Sequence, residues 1–208
     1  MAKLYFRYGA MNCGKTTNLL QVAHNYEEKG MSILLVKPAI DTKGDSKVVS
    51  RLGVERKVNI LLNSDEILTN YLDFENLPNA IIVDEAQFLT EEQVDDLWKI
   101  SKILEIPVLT YGLRTDFLTN TFVGSARLLA LADTIEELKT ICKCGKKATQ
   151  NMRLLNGEPI FKGESVLIDE NSGLDSEKKI DYDYESVCGS CYLKIRKKYW
   201  FLIAFVIT

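Results

Sequence analysis

Residues 9–16 read Gly-Ala-Met-Asn-Cys-Gly-Lys-Thr and fit the pattern G-x-x-x-x-G-K-[ST]. That pattern restricts the fold sharply, because it works only between a buried strand and the N-terminus of a helix. Both neighbours are legible here. The run 3–8 (KLYFRY) reads as a strand, and a helical pattern spans Thr16 to Glu28 until Gly30 stops it. Gly9 and Gly14 let the backbone curl so that its N–H groups, with the helix terminus behind them, face phosphate oxygens. Ala10, Met11, Asn12 and Cys13 complete the loop, and Cys13 reads as a filler without a catalytic role. Lys15 reaches the β- and γ-phosphates of a nucleotide, and the Thr16 hydroxyl ligates Mg²⁺. Gly9 to Thr17 is therefore the expected ATP-binding segment.

The rest of the first 139 residues continues the alternation. Strands are expected at 32–37, 80–84 and 107–111, and helices at 64–74 (Ser64 as N-cap), from Thr90 to about Leu104, and at 125–132. This predicts an α/β fold of the P-loop NTPase (RecA-like) class, an open parallel sheet with helices on both faces. Such a loop needs a carboxylate at the end of a second apolar strand. Asp84 follows Ala80-Ile81-Ile82-Val83 in that way and is expected to hold the Mg²⁺ shell. Glu85, next along the chain, stands where ligands bind in open α/β sheets and suits a base for an attacking hydroxyl.

Past Thr140 the character changes to cysteine pairs and polar loops. Cys142 and Cys144 are one residue apart, and Cys188 and Cys191 two apart, each pair followed or split by glycine (Gly145, Gly189). Four thiolates leave no open coordination position, so the expected metal is a structural zinc clamping a lobe too small to hold itself. Residues 140–198 are expected to form this lobe, and 199–208 (YWFLIAFVIT) an apolar tail of unknown role. Ten residues are too few to span a bilayer. No secretory signal pattern is visible at the N-terminus, so the cytoplasm is the expected compartment. A net charge of −3 gives no general attraction to nucleic acid or membranes, and the basic stretch Lys194–Lys198 reads as a solvated helix face.

Several segments together are more specific than the phosphate loop. GAMNCGKTT (9–17), VDEAQF (83–88), YGLRTDF (111–117), LALADTIEELKTICKCGKKAT (129–149) and SVCGSCY (186–192) resemble thymidine kinases of the bacterial and vertebrate cytosolic type, over roughly residues 3–197. The resemblance implies transfer of the γ-phosphoryl group of ATP to thymidine and deoxyuridine, with Glu85 as the base at the 5′-hydroxyl. It implies Phe88 and Phe117 as aromatic walls around the base, with Met11, Gln87 and Leu113 beside them. Tyr184 stands on a lasso-type lid loop hung from the zinc lobe. Lys43 and Arg51 are the further cations expected near the phosphates. A homotetramer and feedback inhibition by thymidine triphosphate are also implied.

Three features depart from the family pattern. Lys43 replaces an arginine, keeping the charge but not the bidentate fork. Residues 167–184 are longer than the usual lasso and lack its Gly-Gly turn, and the apolar tail has no counterpart. Other functional classes remain open to the residues alone. VDEAQF also resembles the DExx box of nucleic-acid motors, although the chain is short for two motor domains. A zinc module using ATP as a switch, and a kinase for another deoxynucleoside, are the remaining alternatives.

Overall fold

A computed structural model describes residues 1–39, 47–164 and 182–206, with 200–206 described by their backbone. Lys43, and most of the expected lasso, lie outside the described residues. The chain forms two compact units. One comprises Met1–Gly9, Gly14–Arg114 and Thr121–Leu138; the other comprises Ala10–Cys13, Thr115–Asn120 and the described part of Lys139–Thr208.

The first unit holds strands β1 (Leu4–Tyr8), β2 (Ile33–Pro38), β3 (Lys47–Val49), β4 (Glu55–Lys57), β5 (Ile60–Leu62), β6 (Ala80–Val83), β7 (Val108–Gly112) and β8 (Thr134–Glu137). Six of them make one sheet in the order β5-β2-β6-β7-β1-β8, every pair parallel. β3 and β4 form a separate antiparallel pair. All four residues of β6 are buried, as a central strand covered on both faces requires. Alternation divides them between two cores. Ile81 and Val83 join Val36 and Val108 beneath helix α2 (Glu91–Ile103) and helix α3 (Val123–Leu131). Ala80 and Ile82 join Leu35, Leu109 and Tyr111 beneath Leu19 and Ala23 of helix α1 (Lys15–Glu28). The expected open parallel sheet with helices on both faces is thus present.

α2 begins where its sequence says it should. Thr90 Oγ1 accepts from the Gln93 N–H while the Gln93 side chain accepts from the Thr90 N–H, a complete capping box. The helix expected over 64–74 is not formed. Only Leu68–Tyr71 makes a 3₁₀ turn. Side chains there take the backbone groups a helix would need: Glu66 accepts from the Asn63 N–H, Asp96 from the Thr69 N–H and hydroxyl, and Asp73 from the Glu75 N–H. Strand β8 was not legible as a strand and extends the sheet beyond β1.

The second unit is more structured than the expected loop-rich lobe. β9 (Thr140–Ile141) and β10 (Lys147–Ala148) form a small hairpin. β11 (Gln150–Leu155), β12 (Glu158–Ile160) and β13 (Tyr182–Val187) make an antiparallel sheet with β11 central. α4 (Gly189–Val206) follows directly. Its core is small: Cys142, Ala148, Met152, Phe161, Val187, Cys188 and Tyr192, with Leu118 and Leu154 against it. No helix among the described residues is long and apolar enough to cross a membrane.

Candidate active site

The phosphate loop leaves β1 and enters α1 through residues with left-handed backbone. Gly14, at the helix N-cap, has φ 82°, a conformation L side chains rarely adopt. Asn12 has φ 64°, tolerable for asparagine. Lys15 follows as the first residue of α1, and its Nζ donates to the Gly9 carbonyl at 3.3 Å. Thr16 and Thr17 continue the first turn. In the second unit, the loop residue Met11 is held at both backbone groups. Its N–H donates to Asn151 Oδ1 at 2.8 Å, and the Ser186 hydroxyl donates to its carbonyl.

Asp84 and Glu85 emerge from the C-terminal end of β6, separated from the end of β1 by β7 alone. The Asp84 N–H donates to the Val36 carbonyl at 3.0 Å. Its carboxyl is 5% exposed, and burial, reinforced by repulsion from Glu85, pushes it up to about 7. Lys15 and Lys37 act in the opposite direction. Lys37, on the adjacent β2, is itself 2% exposed. It was missed in the sequence because a lysine inside an apolar strand looks like an edge residue. A carboxylate crowded in this way suits a bound cation, and Thr16 with Asp84 would hold Mg²⁺.

Glu85 has φ 50° and ψ 37°, a strained conformation for a glutamate. The turn Ala86–Phe88 after it is clamped from several sides. Gln87 is 2% exposed; its Nε2 donates to Glu85 Oε2 at 2.5 Å, and its Oε1 accepts from the Leu113 N–H at 2.9 Å. The Ser125 hydroxyl donates to the Leu113 carbonyl at 2.5 Å. Leu113 is therefore fixed at both backbone groups, and Gln87 is engaged in orienting Glu85. Gly112 makes this possible, since a Cβ there would stand 2.7 Å from Gln87 Oε1. Phe88 meets Phe122 edge-on, with centroids 5.7 Å apart. Phe122 escaped the sequence reading, although it follows Phe117 closely. Arg51 lies exposed in the turn between β3 and β4.

In the second unit Phe117 is 2% exposed and Tyr184 half-buried. The buried Asp116 carboxylate accepts from the Leu118 and Asn120 N–H groups at 2.9 and 2.8 Å, closing the turn that carries Phe117. The Tyr192 hydroxyl donates to the Phe117 carbonyl at 2.7 Å.

The sulfurs of Cys142, Cys144, Cys188 and Cys191 lie within 4.8 Å of one another. Cys144 Sγ and Cys188 Sγ are 3.6 Å apart. A tetrahedron with Zn–S bonds of about 2.3 Å has edges of about 3.8 Å, so the set fits zinc. The pairing of a β-turn with a helix start builds it. Gly145 (φ 82°) turns the first pair, and the Cys191 N–H, in the first turn of α4, donates to Cys188 Sγ at 3.5 Å. Backbone donors from Cys144 and Cys188 lower Cys142 to about 6, while hydrogen bonding to Cys144 and the other thiols raises Cys191 to about 12. Four sulfurs this close are compatible with a zinc ion held between them as thiolates.

The thymidine kinase family model matches residues 2–192. A thymidine kinase of Francisella tularensis subsp. holarctica is 47% identical over 192 residues, covering 90% of this chain and 95% of the relative. One from Legionella pneumophila (strain Lens) is 48% identical over 187 residues, 88% and 90% of the two chains. One from Streptococcus pyogenes serotype M3 is 44% identical over 173 residues, 82% and 92% of the two chains.

Proposed function

The chain belongs to the thymidine kinase family, and from that premise we propose that it transfers the γ-phosphoryl group of ATP to the 5′-hydroxyl of thymidine, and of deoxyuridine, in nucleotide salvage. The observation that carries this reading is Glu85, strained and hydrogen-bonded to Gln87, beside the buried Asp84 in the unit that also holds Lys15.

Residues 1–139 form the nucleotide-binding domain, and residues 140–198 a zinc-binding lobe that carries the substrate lasso. Glu85 accepts the proton of the 5′-hydroxyl as the oxygen attacks. Gln87 holds the carboxylate so that one oxygen remains for that hydroxyl. Lys15 neutralises charge on the transferred group, helped by Arg51 or Lys43, and Gly9 to Thr17 cradle the phosphates through backbone N–H groups. Thr16 and Asp84 would hold Mg²⁺, which would draw negative charge away from the phosphates of the nucleotide. The residues assigned to thymidine are Phe88, Gln87 and Leu113 in the first unit, where Phe122 supports Phe88, and Met11, Phe117 and Tyr184 in the second. The four cysteines hold a structural zinc. The protein acts in the cytoplasm as a homotetramer, with thymidine triphosphate as feedback inhibitor.

The test is ATP consumption with each deoxynucleoside in turn, Mg²⁺ present and the product identified by mass. Thymidine and deoxyuridine are expected to yield 5′-monophosphates. Failure to phosphorylate any nucleoside, with ATP hydrolysis stimulated by DNA or RNA, would overturn the reading in favour of a nucleic-acid motor.

A further inference from the structure

Arg153 lies in the middle of β11, is 1% exposed, and has no task in the reaction as described. The ladder sets it directly opposite Ile160 on one side and Tyr184 on the other. Opposed residues in an antiparallel pair share a face, so the guanidinium and the Tyr184 phenol are neighbours by register. Arg153 Nε donates to the Tyr184 hydroxyl at 2.8 Å, and Nη1 donates to the Glu164 carbonyl at 2.7 Å. Its guanidinium carbon is 3.8 Å from the centroid of the Phe117 ring, with the Tyr184 and Tyr182 rings at 5.4 and 5.9 Å.

A buried guanidinium is expensive, and an apolar side chain of similar volume would fill the same space at lower cost. Arginine offers something an apolar residue or lysine does not, a flat face and a fork of donors used together. Here the face lies on Phe117 and the fork holds Tyr184. These are two of the aromatic side chains assigned above to thymidine. The Phe117 backbone is secured separately, through the Tyr192 hydroxyl. Its ring orientation is what remains for Arg153 to set.

We infer that Arg153 is a positioning residue for thymidine recognition: from behind, it fixes the plane of Phe117 and the direction of the Tyr184 phenol. This rests on the assignment of Phe117 and Tyr184 to thymidine.

The experiment is steady-state kinetics on the full chain carrying Arg153→Lys, Arg153→Met or Tyr184→Phe, with thymidine and ATP varied separately and zinc measured on the same samples. Thymidine KM is expected to rise about tenfold or more in both Arg153 variants, since small misplacements of binding groups are costly. ATP KM and zinc content stay at wild-type values. Tyr184→Phe gives a smaller rise in the same direction. Combining it with Arg153→Lys adds less than its separate effect, because both changes break one contact. Zinc loss, or a parallel rise of both KM values, means a structural role and overturns the inference. An unchanged thymidine KM in Arg153→Lys overturns it as well. Should the Arg153 variants fail to fold, a wild-type thymidine KM in Tyr184→Phe does so alone. A wild-type protein that phosphorylates no thymidine defeats the underlying function instead, so the two failures are distinguishable.

Discussion

The two units hold their functional side chains by different physics. In the first, a six-stranded parallel sheet buries apolar residues on both faces; Asp84 and Glu85 follow the end of β6, and Lys15 opens α1, all mounted on that large core. In the second, the core is a handful of side chains, and order comes from directional contacts: four clustered sulfurs, Arg153 on Phe117, Asn151 and Ser186 on Met11. A large core tolerates the loss of one contact. A small lobe held by a few polar and sulfur contacts does not, so single substitutions there should be felt across the lobe.

The sharpest test of that contrast lies in the first unit. Glu85→Gln is expected to lower turnover by about 10²–10⁴-fold with zinc content and melting temperature unchanged. Near-normal turnover in that variant would remove Glu85 as the base. A change of comparable severity, but different in kind, is expected from Cys188→Ser. Zinc and thymidine affinity are lost together, because metal binding supplies folding energy that a small lobe lacks. Retention of thymidine binding by metal-free protein would break the comparison, since the lobe would then stand without its clamp. Gln87→Ala probes the hydrogen bond to the Glu85 carboxylate. A bond to a charged group contributes about 1.5–3 kcal/mol, so turnover should fall by roughly ten- to a hundredfold. The smallest effect belongs to Thr90→Ala, which removes the α2 cap. It should cost about 1 kcal/mol of stability, a few degrees of melting temperature, and leave KM values alone.

How much of this was readable in the sequence follows from where each contact comes from. The phosphate loop, the Asp84–Glu85 pair and the Thr90 cap are local patterns, and their geometry appears where the pattern sits. The cysteine set was readable because paired spacing makes a metal site nearly on its own. The 64–74 segment misled because its apolar residues suit a helix, while Asp96, far along the chain, satisfies Thr69 instead. Lys37, Gly112, Ser125, Asn151 and Arg153 had no local signature. Each is defined by a partner elsewhere in the chain, which only the folded chain brings near. The antiparallel sheet of the second unit was hidden for a similar reason, since its strands β11 and β13 are separated by a long polar stretch.

With Glu85 proposed as the base, its left-handed backbone sets stability against catalysis. A residue that adopts that conformation at less cost, such as asparagine, would relieve strain of about 1 kcal/mol. Glu85→Asn should therefore melt no lower than the natural chain, and by a small margin higher, while turning over almost nothing. On the proposed role, selection for heat resistance alone would erode this position, and selection for activity would keep a glutamate there.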